Sequence, residues 1–181
     1  MKFNRVFGMP APNGDTFKCG PIGEFVQSYL AFSSISVDPF SRNCNLATYT
    51  NDLNPETSAQ YHMDSVEFLS MLVDMGVKCD LVIFDPPYSP RQMKELYDGF
   101  GLRFTQDDSR RTAYWSKEKH LVTQLLKPGG IFLYFGWDTN GLPTGKHNVF
   151  IEEILLVNHG AAHNDTICMA QRLVSIQALL T

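Results

Sequence analysis

Nothing in this 181-residue chain approaches the run of about 20 apolar residues that crosses a bilayer. The N-terminus, Met1-Lys2-Phe3-Asn4-Arg5, leads into no long apolar core, so a signal peptide is not expected and a cytoplasmic location is. Only four cysteines occur (Cys19, Cys44, Cys79 and Cys168), widely scattered and in no C-x-x-C pair. That spacing argues against a zinc ribbon or a disulfide framework, and no metal is expected. Basic residues are outnumbered, 15 against 19 acidic, for a net charge of −4. A broad phosphate-gripping surface is therefore not expected from overall charge. Internal repeats and low-complexity tracts are also missing.

What remains has the composition of one ordinary globular domain, 44% apolar and 19% charged, long enough to bury a full core. Strand and helix patterns alternate, as in a parallel sheet with crossover helices. Residues 1–20 read as irregular. Pro21 suits the first turn of a helix running to about Leu30. Short strands are expected at 35–37, 47–50 and 61–63, with Asn54-Pro55 opening a helix between the last two. Asp64 or Ser65 caps an amphipathic helix bearing Val66, Leu69, Leu72 and Val73, with Gly76 as its stop. A fourth strand spans 80–84. Ser89-Pro90 opens another helix, and Ser116 to Leu126 a further one. Ile131 to Phe135 reads as a buried strand, and 150–157 with 166–173 as a closing antiparallel pair. Residues 89–115 include a long stretch without clear period, which suggests a substrate lid.

The most informative residues are Asp85-Pro86-Pro87-Tyr88, directly after the apolar run Leu81-Val82-Ile83-Phe84. A carboxylate accepts a hydrogen bond from an amino group. Two prolines donate no N–H and stiffen the turn, so a carbonyl can face the same group. Tyr offers a flat face for stacking. Together these suit a planar, amino-bearing base. Three earlier strands also end in acid, at Asp38, Asp52 and Asp64. In an open parallel sheet, ligands bind beyond the carboxyl ends of the strands. Any one strand-end Asp is equally well a turn residue; four in register with the tetrapeptide imply a shared cleft.

These residues resemble the S-adenosylmethionine-dependent amino-methyltransferases, particularly the small phage-like adenine-N6 DNA methyltransferases. The likeness rests on Asp80 to Ser89, Val37-Asp38-Pro39-Phe40, Thr50 to Pro55, Leu126 to Phe132 and the segment Gly8 to Phe17 with Pro21-Ile22. It implies a Rossmann-like α/β fold, a seven-stranded, mostly parallel sheet with one antiparallel strand and helices on both faces. It further implies a single catalytic domain over 1–181, with no separate target-recognition domain and with 1–20 contacting the cofactor. Asp85, Pro86, Pro87 and Tyr88 would be catalytic. Pro10, Asn13, Thr16, Phe17, Asp38, Pro39, Phe40, Asp52, Leu53 and Asp64 would hold S-adenosylmethionine, with Asp52 on ribose and Asp64 on the adenine amino group. The chain departs from the family after Phe40, where a glycine-rich bend is usual and Ser41-Arg42-Asn43-Cys44 stands instead, leaving Asn43 to make the bend.

The implied reaction is direct methyl transfer to adenine N6 in DNA, on a flipped-out or single-stranded base. Absence of a Pro-Cys dipeptide argues against methylation of cytosine carbon-5. RNA adenine and cytosine N4 are chemically close alternatives, and a non-catalytic subunit of a modifying complex is a third. Ser89, Arg91, Arg110, Arg111, Tyr114 and Trp137 are candidates for the nucleic acid. Residues 91–119 carry seven basic side chains against five acidic, which serve either a strand of nucleic acid or an ordinary solvated surface. Tyr114 and Trp115 either hold the strand or anchor the next helix, and Trp137 lines either a base pocket or the core. With little room for base-reading contacts, a partner subunit or homodimer would supply target recognition.

Overall fold

The computed structural model describes residues 1–9, 15–99, 101, 103, 105, 115–144, 148–161 and 163–174. Its strands are β1 (Lys2–Phe7), β2 (Ser36–Asp38), β3 (Tyr49–Thr50), β4 (Cys79–Phe84), β5 (Leu126–Gly136), β6 (Val149–Asn158) and β7 (Thr166–Leu173). The helices are α1 (Gly20–Leu30), α2 (Ser65–Asp74), α3 (Pro90–Gly99) and α4 (Ser116–Leu125). One seven-stranded sheet runs β1-β6-β7-β5-β4-β2-β3. All neighbours are parallel except β7, which is antiparallel to both β5 and β6. The expected architecture is thus present.

β4 is central and buried on both faces, which is why Leu81-Val82-Ile83-Phe84 is apolar without alternation. Val82 and Phe84 face α2 and α4, meeting Phe68, Leu69, Leu72, Val122 and Leu125. Leu81 and Ile83 face α1, meeting Ile22, Phe25 and Val26. Those α1 residues stand three and four apart, one stripe of the helix. Asp64 is the cap of α2, its Oδ1 accepting the Val66 amide at 2.8 Å. Gly76, at φ +72°, ends it. The buried stripe of α2 is Phe68, Leu69 and Leu72; of the four expected residues Leu69 and Leu72 lie in it, while Val66 and Val73 are half-buried.

Three expectations differ from the structure. Residues 2–7 are not irregular but form edge strand β1, parallel to β6. No helix follows Asn54-Pro55; turns occupy 55–58, tied by Asn54 Oδ1 to the Glu56 amide and by the Asn54 carbonyl to Thr57. The strand at 61–63 is reduced to a single bridge, Tyr61 to Asn51. The sheet still counts seven named strands because β1 takes the opposite edge.

Candidate functional site

All four strand-end acids sit at the carboxyl edge of the sheet. There a cavity of about 1040 Å³ opens, lined by Asp52, Asp64, Asp85 and the rest of the tetrapeptide among others. That volume lies at the upper end of the range for ligand pockets. Asp85 follows the last residue of β4. Its Oδ1 accepts the Tyr88 hydroxyl at 2.5 Å. Burial pushes the Asp85 carboxyl above the usual range, while hydrogen bonds from Tyr88 and Thr16 and the positive charge of Arg42 pull it back. Burial and the neighbouring Asp85 charge push the Tyr88 phenol well up, so it stays protonated and serves as a donor. The tetrapeptide is held by its own helix: Tyr88 N–H donates to Gln92 Oε1 at 2.6 Å, and Ser89 Oγ accepts from the Gln92 amide.

One side of the cavity is built from the ends of β2 and β3. Asp52 accepts the Asn54 amide on Oδ1 at 2.8 Å and the Arg42 amide on Oδ2 at 3.1 Å. Pro39, Phe40, Leu53 and Met63 supply apolar wall, and Asp64 lies beside them. Asp38 is different: only 1% exposed, it lies beneath this wall. Its Oδ1 accepts the Phe40 amide at 3.0 Å, while Oδ2 meets no donor among the described residues. Burial drives its pKa well above the ordinary value; the Phe40 amide opposes that, and the charges of Asp85 and Asp52 add to it. The bend after Phe40 falls at Arg42, φ +51°, not at Asn43. A non-glycine residue there costs on the order of 1 kcal/mol, offset by the Arg42 amide bond to Asp52.

Asn51, given no role of its own by the sequence, ties this wall together. Its buried side chain donates to the Pro39 and Met63 carbonyls at 3.2 and 3.0 Å and accepts the Met63 amide at 3.1 Å. Its backbone joins Asp38 and Ser41. Three strand-end loops thus share one amide, which sets the separation of Phe40, Asp52 and Asp64.

The opposite side comes from the loop after β5, the β6–β7 turn and the end of β1. Trp137 lines the cavity, 43% exposed, its ring edge-on to Tyr88 with centroids 5.5 Å apart. Its loop is pinned by Tyr134 to Asp138 at 2.7 Å, by Lys119 to the Asn140 carbonyl, and by Gln171 to both backbone groups of Leu142. Met9, from the expected cofactor-contacting segment, also lines it, as do His159, His163, Asn164 and Thr166, to which the sequence reading gave no site role. His159 Nδ1 lies 2.7 Å from the Gly8 carbonyl, and Nε2 lies 2.9 Å from Thr166 Oγ1. A carbonyl only accepts, so Nδ1 is the donor to Gly8. Gly8 is required at its place, since a Cβ would lie 2.8 Å from Val157 Cγ1 and 2.9 Å from Cys19 Sγ.

Other expected site residues are distributed unevenly. Thr16 lines the cavity, whereas Phe17 packs in the α1-side core against Phe135. Ser89 caps rather than lines, and Arg91 is exposed and paired with Glu95 at 2.8 Å. Lys94 pairs with Asp98, and Lys119 is buried over the Tyr134 ring, so much of the 91–119 charge is already used internally. Trp115 is buried against Phe40 and Phe84 and anchors α4. Pro10, Asn13, Arg110, Arg111 and Tyr114 lie outside the described residues, as do residues 100, 102, 104 and 106–114 of the proposed lid, whose first part is α3. Among the described residues there is no cluster of His, Cys, Asp and Glu suited to a metal, and no helix long and apolar enough to cross a membrane.

No family model and no curated protein sequence matches this chain. Solved structures do. The protein yhhF of Escherichia coli, assigned as a methyltransferase, superposes with a TM-score of 0.57 at 14% identity, over 92% of this chain and 91% of its own. SMU.776, likewise assigned and solved with S-adenosylhomocysteine, gives 0.55 at 12%, over 82% of this chain and 48% of its own. TrmN of Thermus thermophilus gives 0.51 at 15%, again over 82% and 48%. The chain therefore spans about half of the last two proteins and nearly all of the first. At these identities the likeness is one of fold: this is a Rossmann-like methyltransferase fold.

Proposed function

We propose that the protein transfers a methyl group from S-adenosylmethionine to the exocyclic N6 amino group of adenine in DNA. The observation that carries this reading is the placement of Asp85. Its carboxylate follows the interior strand β4, faces the large cavity and holds a polar hydrogen on Oδ1.

The cofactor fits the acidic wall. The sulfonium and ammonium groups of S-adenosylmethionine are cationic, and Asp52, Asp64 and Asp85 line the cavity with Asp38 beneath. The Asp38 oxygen without a donor suits the amino-acid end. Asp52, held by two backbone amides, keeps lone pairs for ribose hydroxyls. Phe40, Leu53 and Met63 offer an apolar face for a purine. When bound, the cofactor supplies an electrophilic methyl group.

The chain's own contribution is electrostatic and positional. An aromatic amine is a weak nucleophile because its lone pair is delocalised into the ring. Hydrogen bonds from the amino group to Asp85 and to the Pro86 carbonyl localise that pair on nitrogen. They also stabilise positive charge that grows on nitrogen in the transition state. Tyr88 and Trp137 provide aromatic surface for the base. Asp85 need not be a strong base, since the proton becomes acidic once nitrogen is alkylated. A base inside a duplex does not reach this cavity, so the substrate is flipped out or single-stranded.

Incubation with tritiated cofactor and single- or double-stranded DNA tests the reading. Label in adenine that is lost in Asp85→Ala, with S-adenosylhomocysteine binding retained, supports it. Label confined to RNA or to cytosine would keep the chemistry and change the substrate. A chain that binds the cofactor and labels no polynucleotide would favour a non-catalytic subunit.

A further inference from the structure

The face of β1 that turns away from α1 carries Phe3, Arg5 and Phe7, all exposed. Residues two apart on a strand share a face. The other face carries half-buried Asn4 and Val6 and exposed Lys2: Asn4 donates to Glu153, Lys2 pairs with Glu153, and Val6 packs with the α1-side core. Phe3 is 60% exposed and Phe7 63%. Beside them on β6, in register, lie Ile154 and Leu156, both half-buried. Among the described residues, the connection from β5 to β6 contains no helix that would cover this end of the sheet. Arg5 forms no ion pair with any described residue.

This surface runs into the cavity. β1 is parallel to β6, so Phe7 lies at the carboxyl edge, and two residues on, Met9 lines the cavity while 71% exposed. The Phe7 ring stands beside Gly160 of the β6–β7 turn, whose His159 and His163 line the same cavity.

Resting on the function proposed above, we propose that Phe3, Arg5 and Phe7 form a track for the DNA single strand flanking the target base. Same-face residues two apart lie roughly 6.7 Å from each other along a strand. Phe3 and Phe7, four residues apart, therefore stand about 13 Å from each other, so bases two nucleotides apart can stack on the two rings, with a phosphate between them against the guanidinium. Stacking on exposed aromatics together with a cation is a sequence-tolerant way to hold a single strand. It also provides a substrate surface in a chain where Arg91 and Lys94 are spent on acidic neighbours.

The test is fluorescence anisotropy of a fluorescein-labelled, adenine-containing single-stranded DNA 12-mer, with an RNA of the same sequence as a second arm. Phe3→Ala/Phe7→Ala is expected to weaken DNA binding about tenfold or more. Arg5→Ala is expected to flatten the slope of log affinity on log salt by about 0.7. Calorimetric affinity for S-adenosylhomocysteine should not change in either variant, which also reports that each is folded. If wild type methylates DNA and both variants bind it as wild type does, the track is wrong and the proposed function stands. If wild type binds the cofactor but neither binds nor methylates any oligonucleotide, the proposed function fails and the track with it. If only RNA binding responds to the variants, the assignment to DNA is overturned. Light scattering that shows a wild-type dimer, a monomeric double variant and unchanged DNA binding would instead assign the face to a second copy of the chain.

Discussion

Tyr88 donates its hydroxyl hydrogen to Oδ1 of Asp85, the carboxylate to which the proposed mechanism assigns the substrate amino group. The phenol and the incoming amino group thus share one carboxylate, which has acceptor sites for both. The hydroxyl and the ring of Tyr88 then have separate jobs, which substitution can tell apart. Tyr88→Phe keeps the stacking face and should leave kcat within about threefold of wild type. Tyr88→Ala should lower it about a hundredfold, the loss of roughly 2–3 kcal/mol of positioning. Because the Tyr88 hydrogen bond pulls the Asp85 carboxyl down, its removal lets that pKa climb. The acidic limb of the kcat/KM profile of Tyr88→Phe should therefore move to higher pH. A profile that stays in place would separate the hydroxyl from the state of Asp85.

Asn51→Ala removes one amide and leaves the buried Pro39 carbonyl and the half-buried Met63 carbonyl and N–H without their partner. A loss of about 2–4 kcal/mol is expected in urea unfolding. S-adenosylhomocysteine binding should weaken too, since Phe40, Asp52 and Asp64 lose their common tie. A loss below about 1 kcal/mol would mean that the three loops hold one another without it.

Asp38 makes stability fall as pH rises. Burial raises its folded-state pKa, so the folded chain keeps the proton that the unfolded chain releases near pH 4. Above that pH the buried group costs stability, increasingly so until the folded-state pKa is passed. Asp38→Asn retains an acceptor for the Phe40 amide and removes the charge. Without cofactor, its Tm advantage over wild type should be near zero at pH 4 and grow as pH rises, levelling off above the folded-state pKa. A constant or shrinking difference would contradict the assignment. The same variant should bind S-adenosylhomocysteine more weakly.

Asp52 and Asp64 separate into different phenotypes. Asp64 caps α2, so Asp64→Asn, which retains a capping oxygen, should keep the stability that Asp64→Ala loses, about 1 kcal/mol. Asp52→Ala should chiefly weaken cofactor affinity, read by calorimetry. Unchanged affinity would remove the ribose role.

The central strands and the tetrapeptide were readable because their signals are local. A continuous apolar run ending in Asp-Pro-Pro-Tyr marks β4 and its turn within ten residues. β1 was not readable, because its two aromatics face solvent while Val6 points inward, inverting the pattern of a half-buried strand. Asn51 acts through carbonyls that adjoin it only after β2, β3 and residues 61–63 come together, and no local pattern marks such a residue. The β6–β7 turn reads as polar turn chemistry, which it is; only the parallel placement of β1 brings Gly8 against His159 and makes the turn a cavity wall. Arg91 shows the opposite failure, since its i,i+4 partner Glu95 was visible and sufficed to occupy it.

The most direct test is nucleoside analysis by mass spectrometry of DNA from cells expressing the chain, beside cells expressing Asp85→Ala. The account predicts N6-methyladenine with the first and none above background with the second. Equal amounts in both, or none in either while the purified protein binds S-adenosylhomocysteine, would contradict it.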